Sequence, residues 1–219
     1  MELKFWHERW ENGQIGFHQS DYNPYLLKHW DDLHVAPGCK VFVPLAGKSN
    51  DMFWLSQQGY KVVGVELSSI AVKAFFEDNQ LSYDIRSDND FDIYYTENIE
   101  IYCGDFFKLT HMLMLGTDAV FDRASLIALP PPLRQKYTDK MHEILPADCQ
   151  ILLISMQYLQ EQMDGPPFSV HEEEVFELYE QGFNVSRLEC IDVLGQNERF
   201  IEKGLTGLHE CIYKIKKRT

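Results

Sequence analysis

No uncharged apolar stretch in the 219 residues approaches the ~20 needed to cross a bilayer, so no membrane partner is expected. The first residues include Glu2, Lys4, His7, Glu8 and Arg9, where a secretory leader has an apolar core. The expectation is a soluble protein of the cytoplasm. Basic side chains are scarce: 20 Lys and Arg stand against 34 Asp and Glu, a formal net charge of −14. Phosphate backbones are held mainly by Lys and Arg, so nucleic acid is not an expected partner. The one dense basic stretch, Lys214, Lys216, Lys217 and Arg218, reads as a solvated tail. Five cysteines are present without a C-x-x-C pair. This odd count predicts reduced, mostly buried thiols rather than disulfides or zinc ligands, and no metal site.

Two glycine signatures are also missing. A dinucleotide cradle needs G-x-G-x-x-G so that a pyrophosphate meets bare backbone at a helix N-terminus, but the loop Pro44, Leu45, Ala46, Gly47, Lys48 has one glycine. A P-loop needs a first glycine five positions before Gly47, Lys48, Ser49, and that position is Phe42. What remains is an apolar run (Val41, Phe42, Val43), a glycine turn, and a second apolar run (Val62, Val63, Gly64, Val65) ending on Glu66. In open α/β sheets a ligand lies beyond the carboxyl ends of the strands, and an acid about 20 residues after the glycine turn reaches a ribose hydroxyl. Glu66 stands 19 positions after Gly47. S-adenosylmethionine has a ribose and an adenine but no phosphate, so it fits this set; the other reading is an α/β core pair with no ligand.

With 45% hydrophobic residues the chain is long enough for one well-buried domain and short for two. One domain is expected over 1–219, with 1–35 as an N-terminal helical lid segment. Leu3, Trp6 and Trp10 share one helical face, and a second helix is predicted from Pro24 to Leu33. Helices follow over Asn50 to Gln58, stopped by Gly59, and over Ala71 to Asn79, capped by Ser68. The acidic stretch from Asp84 to Asn98 reads as loop. Further strands are predicted at Ile99 to Tyr102, Ala119 to Phe121 and Ile151 to Met156. Between the last two, Pro130, Pro131 and Pro132 open a helix through Met141. A helix over Val170 to Gln181 precedes an antiparallel pair, Asn184 to Val193 and Leu208 to Ile215. Strand and helix alternation closed by such a pair predicts an α/β, doubly wound, mostly parallel sheet of seven strands with the last one antiparallel.

Trp6 to Gln19, the loop Phe42 to Met52, the run Val62 to Ser68, the segment Asp122, Arg123, Ala124, and Gly165 to Phe168 together resemble thiopurine S-methyltransferases, in order and across nearly the whole chain. The resemblance implies a Rossmann-like methyltransferase fold. It also implies transfer of a methyl group from S-adenosyl-L-methionine, with S-adenosyl-L-homocysteine as product, to the sulfur of a small aromatic or heterocyclic thiol such as a thiopurine. Selenium and tellurium nucleophiles belong to the same expectation. No repeating apolar stripe demands a dimer, so a monomer is expected. By the same resemblance Trp6, Trp10 and Phe17 wall the cofactor, Leu45 and Gly47 hold its methionine part, Glu66 takes the ribose, and Asp105 and Phe106 flank the adenine. Arg123 lies between cofactor and acceptor as the catalytic residue. Phe17, Arg123, Pro166, Pro167 and Arg199 line the acceptor pocket. The segment Gly195 to Gly207 aligns loosely, which bears on Arg199.

Each of these residues has an ordinary structural alternative. Glu66 can be a solvated loop acid, Trp6 and Trp10 can be core at i and i+4 spacing, Arg123 can pair with Asp122, and Pro166 and Pro167 can simply stiffen a loop. At the level of function the alternatives are a methyltransferase of an oxygen or nitrogen acceptor, a non-catalytic S-adenosylmethionine-binding protein, and a nicotinamide oxidoreductase on the same fold.

Overall fold

A computed structural model describes residues 3–88 and 90–218; Leu3 heads the first helix, but its side chain, expected beside Trp6 and Trp10, lies outside the described residues. A nine-stranded sheet runs in the order β3-β4-β5-β2-β1-β6-β7-β9-β8. The strands are β1 (Lys40–Val43), β2 (Lys61–Glu66), β3 (Asp84–Asp88), β4 (Phe91–Tyr95), β5 (Ile99–Cys103), β6 (Thr117–Asp122), β7 (Gln150–Gln157), β8 (Phe183–Asp192) and β9 (His209–Lys217). β1, β2, β5, β6 and β7 form the parallel centre, and β9 runs antiparallel between β7 and β8.

Alternation along each strand builds two cores. Phe42, Val120, Ile151, Leu153, Cys211 and Tyr213 face one way, against Tyr137, Met141, Val175 and Tyr179. Val41, Val43, Ala119, Phe121, Leu152 and Ile212 face the other, against Tyr25, Leu55, Val72 and Phe75. Successive side chains of a strand point to opposite faces, and a parallel sheet covered on both sides therefore reads as nearly continuous apolar runs. The first face carries α5 (His111–Met114), α6 (Ser125–Ala128), α7 (Pro131–Ile144) and α8 (Glu172–Tyr179); the second carries α2 (Pro24–His29), α3 (Asn50–Gln57) and α4 (Ser69–Asp78). The N-terminal helix α1 (Leu3–Glu11) and the short α9 (Glu198–Glu202) complete the α-helices.

The caps follow the local sequence. Asn23 Oδ1 accepts the amides of Tyr25 and Leu26 ahead of Pro24, and Ser68 Oγ accepts the Ala71 amide. Side-chain caps of this type satisfy helix N–H groups that have no partner within the helix. Helix ends differ from the sequence expectation by a few residues, the usual scatter of frayed termini.

The expected count of seven strands is corrected to nine. Residues expected as loop form the hairpin β3 and β4, which extends the sheet from the edge of β5. Phe91, Ile93 and Tyr94 are buried while β3 is exposed along its length. The acids that suggested a loop occupy the solvent face of an edge pair, a usual protection against edge-to-edge association. The expectation of five reduced thiols is also corrected. Cys190 and Cys211 oppose each other across β8 and β9 and are joined in a disulfide, with Cα atoms 4.0 Å apart and a sequence separation of 21. Cross-strand register created that proximity, and spacing alone does not reveal it. Cys39, Cys103 and Cys149 are free. Among the described residues no helix is long and apolar enough to cross a membrane.

Candidate active site

The chain leaves β1 toward β2 on one side and returns to β6 on the other, so a crevice opens at the carboxyl ends of these strands. Ligands of doubly wound sheets lie at this reversal of strand order. Here it holds a cavity of about 250 Å³. The structure places all twelve site residues named from the sequence around it: Trp6, Trp10, Phe17, Leu45, Gly47, Glu66, Asp105, Phe106, Arg123, Pro166, Pro167 and Arg199.

Glu66 ends β2 and is 6% exposed. Its Oε2 accepts the Gly47 amide at 2.7 Å and its Oε1 accepts the Ser68 amide at 2.8 Å. Burial pushes its carboxyl up, while the Ser68 and Gly47 amides pull it down. Two charge-assisted bonds fix its direction and leave lone pairs for a ligand hydroxyl. The solvated-acid alternative is thereby removed.

The turn before α3 approaches α1 closely. Leu45 and Gly47 both have positive φ, 44° and 55°, and non-glycine residues held there cost energy that clusters at functional sites. A Cβ added to Gly47 would stand 3.3 Å from Trp10 Cζ2, so a side chain there would crowd the ring. Trp6 and Trp10 each meet Phe17 edge to face, with centroids 5.7 and 5.6 Å apart. The three rings form one aromatic wall.

Asp105 follows β5, and its Oδ1 accepts the Phe107 amide at 2.9 Å, capping the turn over Phe106–Lys108. Its side chain is thus engaged locally. Gly104 precedes it, where a Cβ would fall 2.6 Å from the Phe91 ring; only glycine permits that approach.

Arg123 follows β6, and it does not pair with Asp122. The buried Asp122 accepts from the Tyr137 hydroxyl at 2.6 Å and from the Ser125 amide at 3.2 Å. Arg123 instead donates to the Phe17 carbonyl and to Gln19 Oε1, each at 3.0 Å. Among the described residues no carboxylate forms an ion pair with it. Desolvation lowers its pKa, against the attraction of Asp51 and Glu210, yet a guanidinium remains charged. Arg199 lies at the rim, donates to the Gly16 carbonyl and stacks 4.6 Å from the Phe200 ring.

Further lining residues come from Gln19, Met156, Asn197, Phe200 and Glu210. The sequence reading missed them; Glu210 two residues before Ile212, in the alternating stretch Cys211, Ile212, Tyr213, was the one usable signal.

The family model for thiopurine S-methyltransferase (TPMT) matches residues 1–218. The chain belongs to this family. Thiopurine S-methyltransferases similar to it include one from Pseudomonas fluorescens (strain Pf0-1), 46% identical over 99% of both chains. Another, from Nitrosospira multiformis, is 47% identical over the full length of both. Solved structures of similar fold include a methyltransferase from Anabaena variabilis (TM-score 0.69, 13% identity, 99% of this chain and 95% of that one). A second is an N1-methyltransferase from Burkholderia thailandensis bound to 1,6-didemethyltoxoflavin and S-adenosylhomocysteine (TM-score 0.66, 16% identity, 99% and 87%). The doubly wound methyltransferase fold expected from the sequence is therefore correct. The protein is a transferase of the S-adenosylmethionine-dependent kind, and its crevice suits that ligand: a buried acid at the end of β2, a glycine against an aromatic ring, and a single-glycine turn where a diphosphate would need a nest of glycine amides.

Proposed function

We propose that the enzyme methylates the sulfur of small aromatic or heterocyclic thiols, thiopurines among them, with selenium and tellurium nucleophiles as further acceptors. The observation that carries this reading is Arg123: a positive charge in the cavity wall, unmatched by any ion pair among the described residues. It suits an acceptor that arrives with negative charge on its reacting atom. The relatives bear the name thiopurine S-methyltransferase, which agrees.

In this reading Trp6, Trp10 and Phe17 close over the methyl donor, Leu45 and Gly47 hold its amino-acid part, Glu66 takes the ribose, and Asp105 and Phe106 flank the base. When bound, S-adenosylmethionine supplies an electrophilic methyl group on a sulfonium that leaves as a thioether. The aromatic wall attracts that cation and excludes water. Arg123 holds the acceptor sulfur as its anion, and Pro166, Pro167 and Arg199 shape the acceptor side, so that orientation supplies most of the acceleration. We further assign residues 1–219 to one domain with 1–35 as its lid, acting as a monomer in the cytoplasm on small molecules rather than nucleic acid. The acidic composition supports the last point.

Transfer of labelled methyl from S-adenosylmethionine to a panel of thiols, selenols, phenols and amines tests the proposal. Thiols and selenols are expected to be labelled well above the others. Preference for a phenol or amine, or binding without turnover, would contradict it.

A further inference from the structure

Glu210 is a charged residue in the interior of the sheet that the account above leaves unused. It stands near the start of β9, opposite Met156 of β7 and Ile191 of β8. It lines the same cavity as Arg123, Met156, Pro166 and Pro167. Ile212, two residues on, packs into the core beneath α2, so Glu210 shares that face by alternation. Tyr25 of α2 is buried, with its hydroxyl beside the Glu210 carboxylate. Glu210 forms no ion pair among the described residues, although the positive charge of Arg123 acts on it across the cavity. Tyr25 supplies one hydroxyl donor to this carboxylate, which faces the cavity without a cation and has acceptor lone pairs left for a ligand donor there.

Heterocyclic thiols exist largely as thiones, with the proton on a ring nitrogen next to the C=S carbon. Such an acceptor brings an anion-forming sulfur and an N–H donor side by side. Arg123 and Glu210 offer the matching pair, a cation for the sulfur and an acceptor for the N–H.

Resting on the thiol reading above, we propose that Glu210 is the base that accepts the ring N–H proton of a neutral thione acceptor. The N–H bond breaks and its electron pair enters the ring, placing negative charge on sulfur. The sulfur then forms the S–CH3 bond as the bond from methyl to sulfonium breaks. The proton stays on a Glu210 oxygen until it leaves to water, so the sum is thione plus sulfonium to thioether, neutral donor product and a proton. Burial raises the Glu210 carboxyl above its ordinary range, which makes it the stronger base.

The test compares mercaptopurine, a thione, with an electron-poor arenethiol that is already ionised at the assay pH, using wild type, Glu210→Gln and Glu210→Asp. A general base contributes about 100-fold or more. Glu210→Gln is therefore expected to cut kcat/KM for the thione by about 100-fold and to cut it far less for the arenethiolate, with Glu210→Asp recovering part of the ratio. A readout independent of turnover is the ultraviolet spectrum of bound mercaptopurine. Wild type at neutral pH is expected to enrich the anion and Glu210→Gln to leave the neutral thione. Equal loss on both acceptors with an unchanged spectrum would assign Glu210 a structural role and overturn the proposal, as would no loss on either. A wild type that methylates neither thiol overturns the thiol reading itself, and is recognised because the variants then have no activity to lose.

Discussion

The Glu66 carboxylate accepts the Gly47 amide at 2.7 Å, which ties the end of β2 to the turn after β1 and sets the mouth of the cavity. Removing that acid frees the turn and, in the proposed reading, takes away the partner of the cofactor ribose. Glu66→Ala is expected to weaken S-adenosylhomocysteine binding by roughly 1.5 to 3 kcal/mol, the scale of hydrogen bonds to a charged group. Isothermal calorimetry, with a melting curve to confirm folding, checks this; an unchanged dissociation constant would remove Glu66 from the site.

Gly47 carries a positive φ and faces Trp10 at the distance where a Cβ becomes crowded. Gly47→Ala is expected to lose stability on the order of 1 kcal/mol from the left-handed backbone alone. It should also weaken cofactor binding, because the Trp10 ring must withdraw. Urea unfolding and calorimetry together read the two effects; a variant as stable as wild type with unaltered affinity would contradict the close-approach argument.

Arg123→Lys keeps the charge and loses the planar fork that reaches Phe17 and Gln19. The expectation is a fall of roughly tenfold or more in acceptor kcat/KM with cofactor affinity nearly preserved. Parallel loss of both would show that Arg123 serves the donor instead.

Asp122 is fully buried, and desolvation pushes its carboxyl up to about 6 despite bonds from Tyr137 and Ser125. A folded-state value above the unfolded one favours the protonated form in the native state. Its contribution to stability is complete below about pH 4 and is lost as pH rises through about 6. The stability of wild type relative to Asp122→Asn, measured by urea unfolding from pH 4 to 7, should therefore fall with rising pH. A flat difference would place the Asp122 carboxyl near its ordinary value.

The link between Cys190 and Cys211 leaves three free thiols, Cys39, Cys103 and Cys149. Thiol titration of protein unfolded without reductant should count three. A count of five would show that the two cysteines stand paired but reduced, as in a reducing cytoplasm.

The pairing of Gly47 with Glu66 was legible because it is local in sequence: both belong to one strand-turn-helix-strand unit whose spacing sets their meeting. Trp6, Trp10 and Phe17 were singled out by the family resemblance, since i and i+4 spacing alone reads as core. What stayed hidden depends on register between distant strands. Glu210 reaches the cavity because β9 inserts between β7 and β8, and Cys190 meets Cys211 through the same pairing. The hairpin from Asp84 to Tyr95 was masked differently: its acids mark a loop by composition, whereas the period-two burial of Phe91 and Ile93 marks a strand. Periodicity outweighs charge content at a sheet edge.

The most direct test of the central claim, a crevice built for S-adenosylmethionine and closed to dinucleotides, is a calorimetric titration of the wild-type protein with S-adenosylhomocysteine, alone and in the presence of NADH. One equivalent of S-adenosylhomocysteine should bind with an affinity that NADH leaves unchanged. Displacement by NADH, or the absence of any S-adenosylhomocysteine binding, would contradict the account.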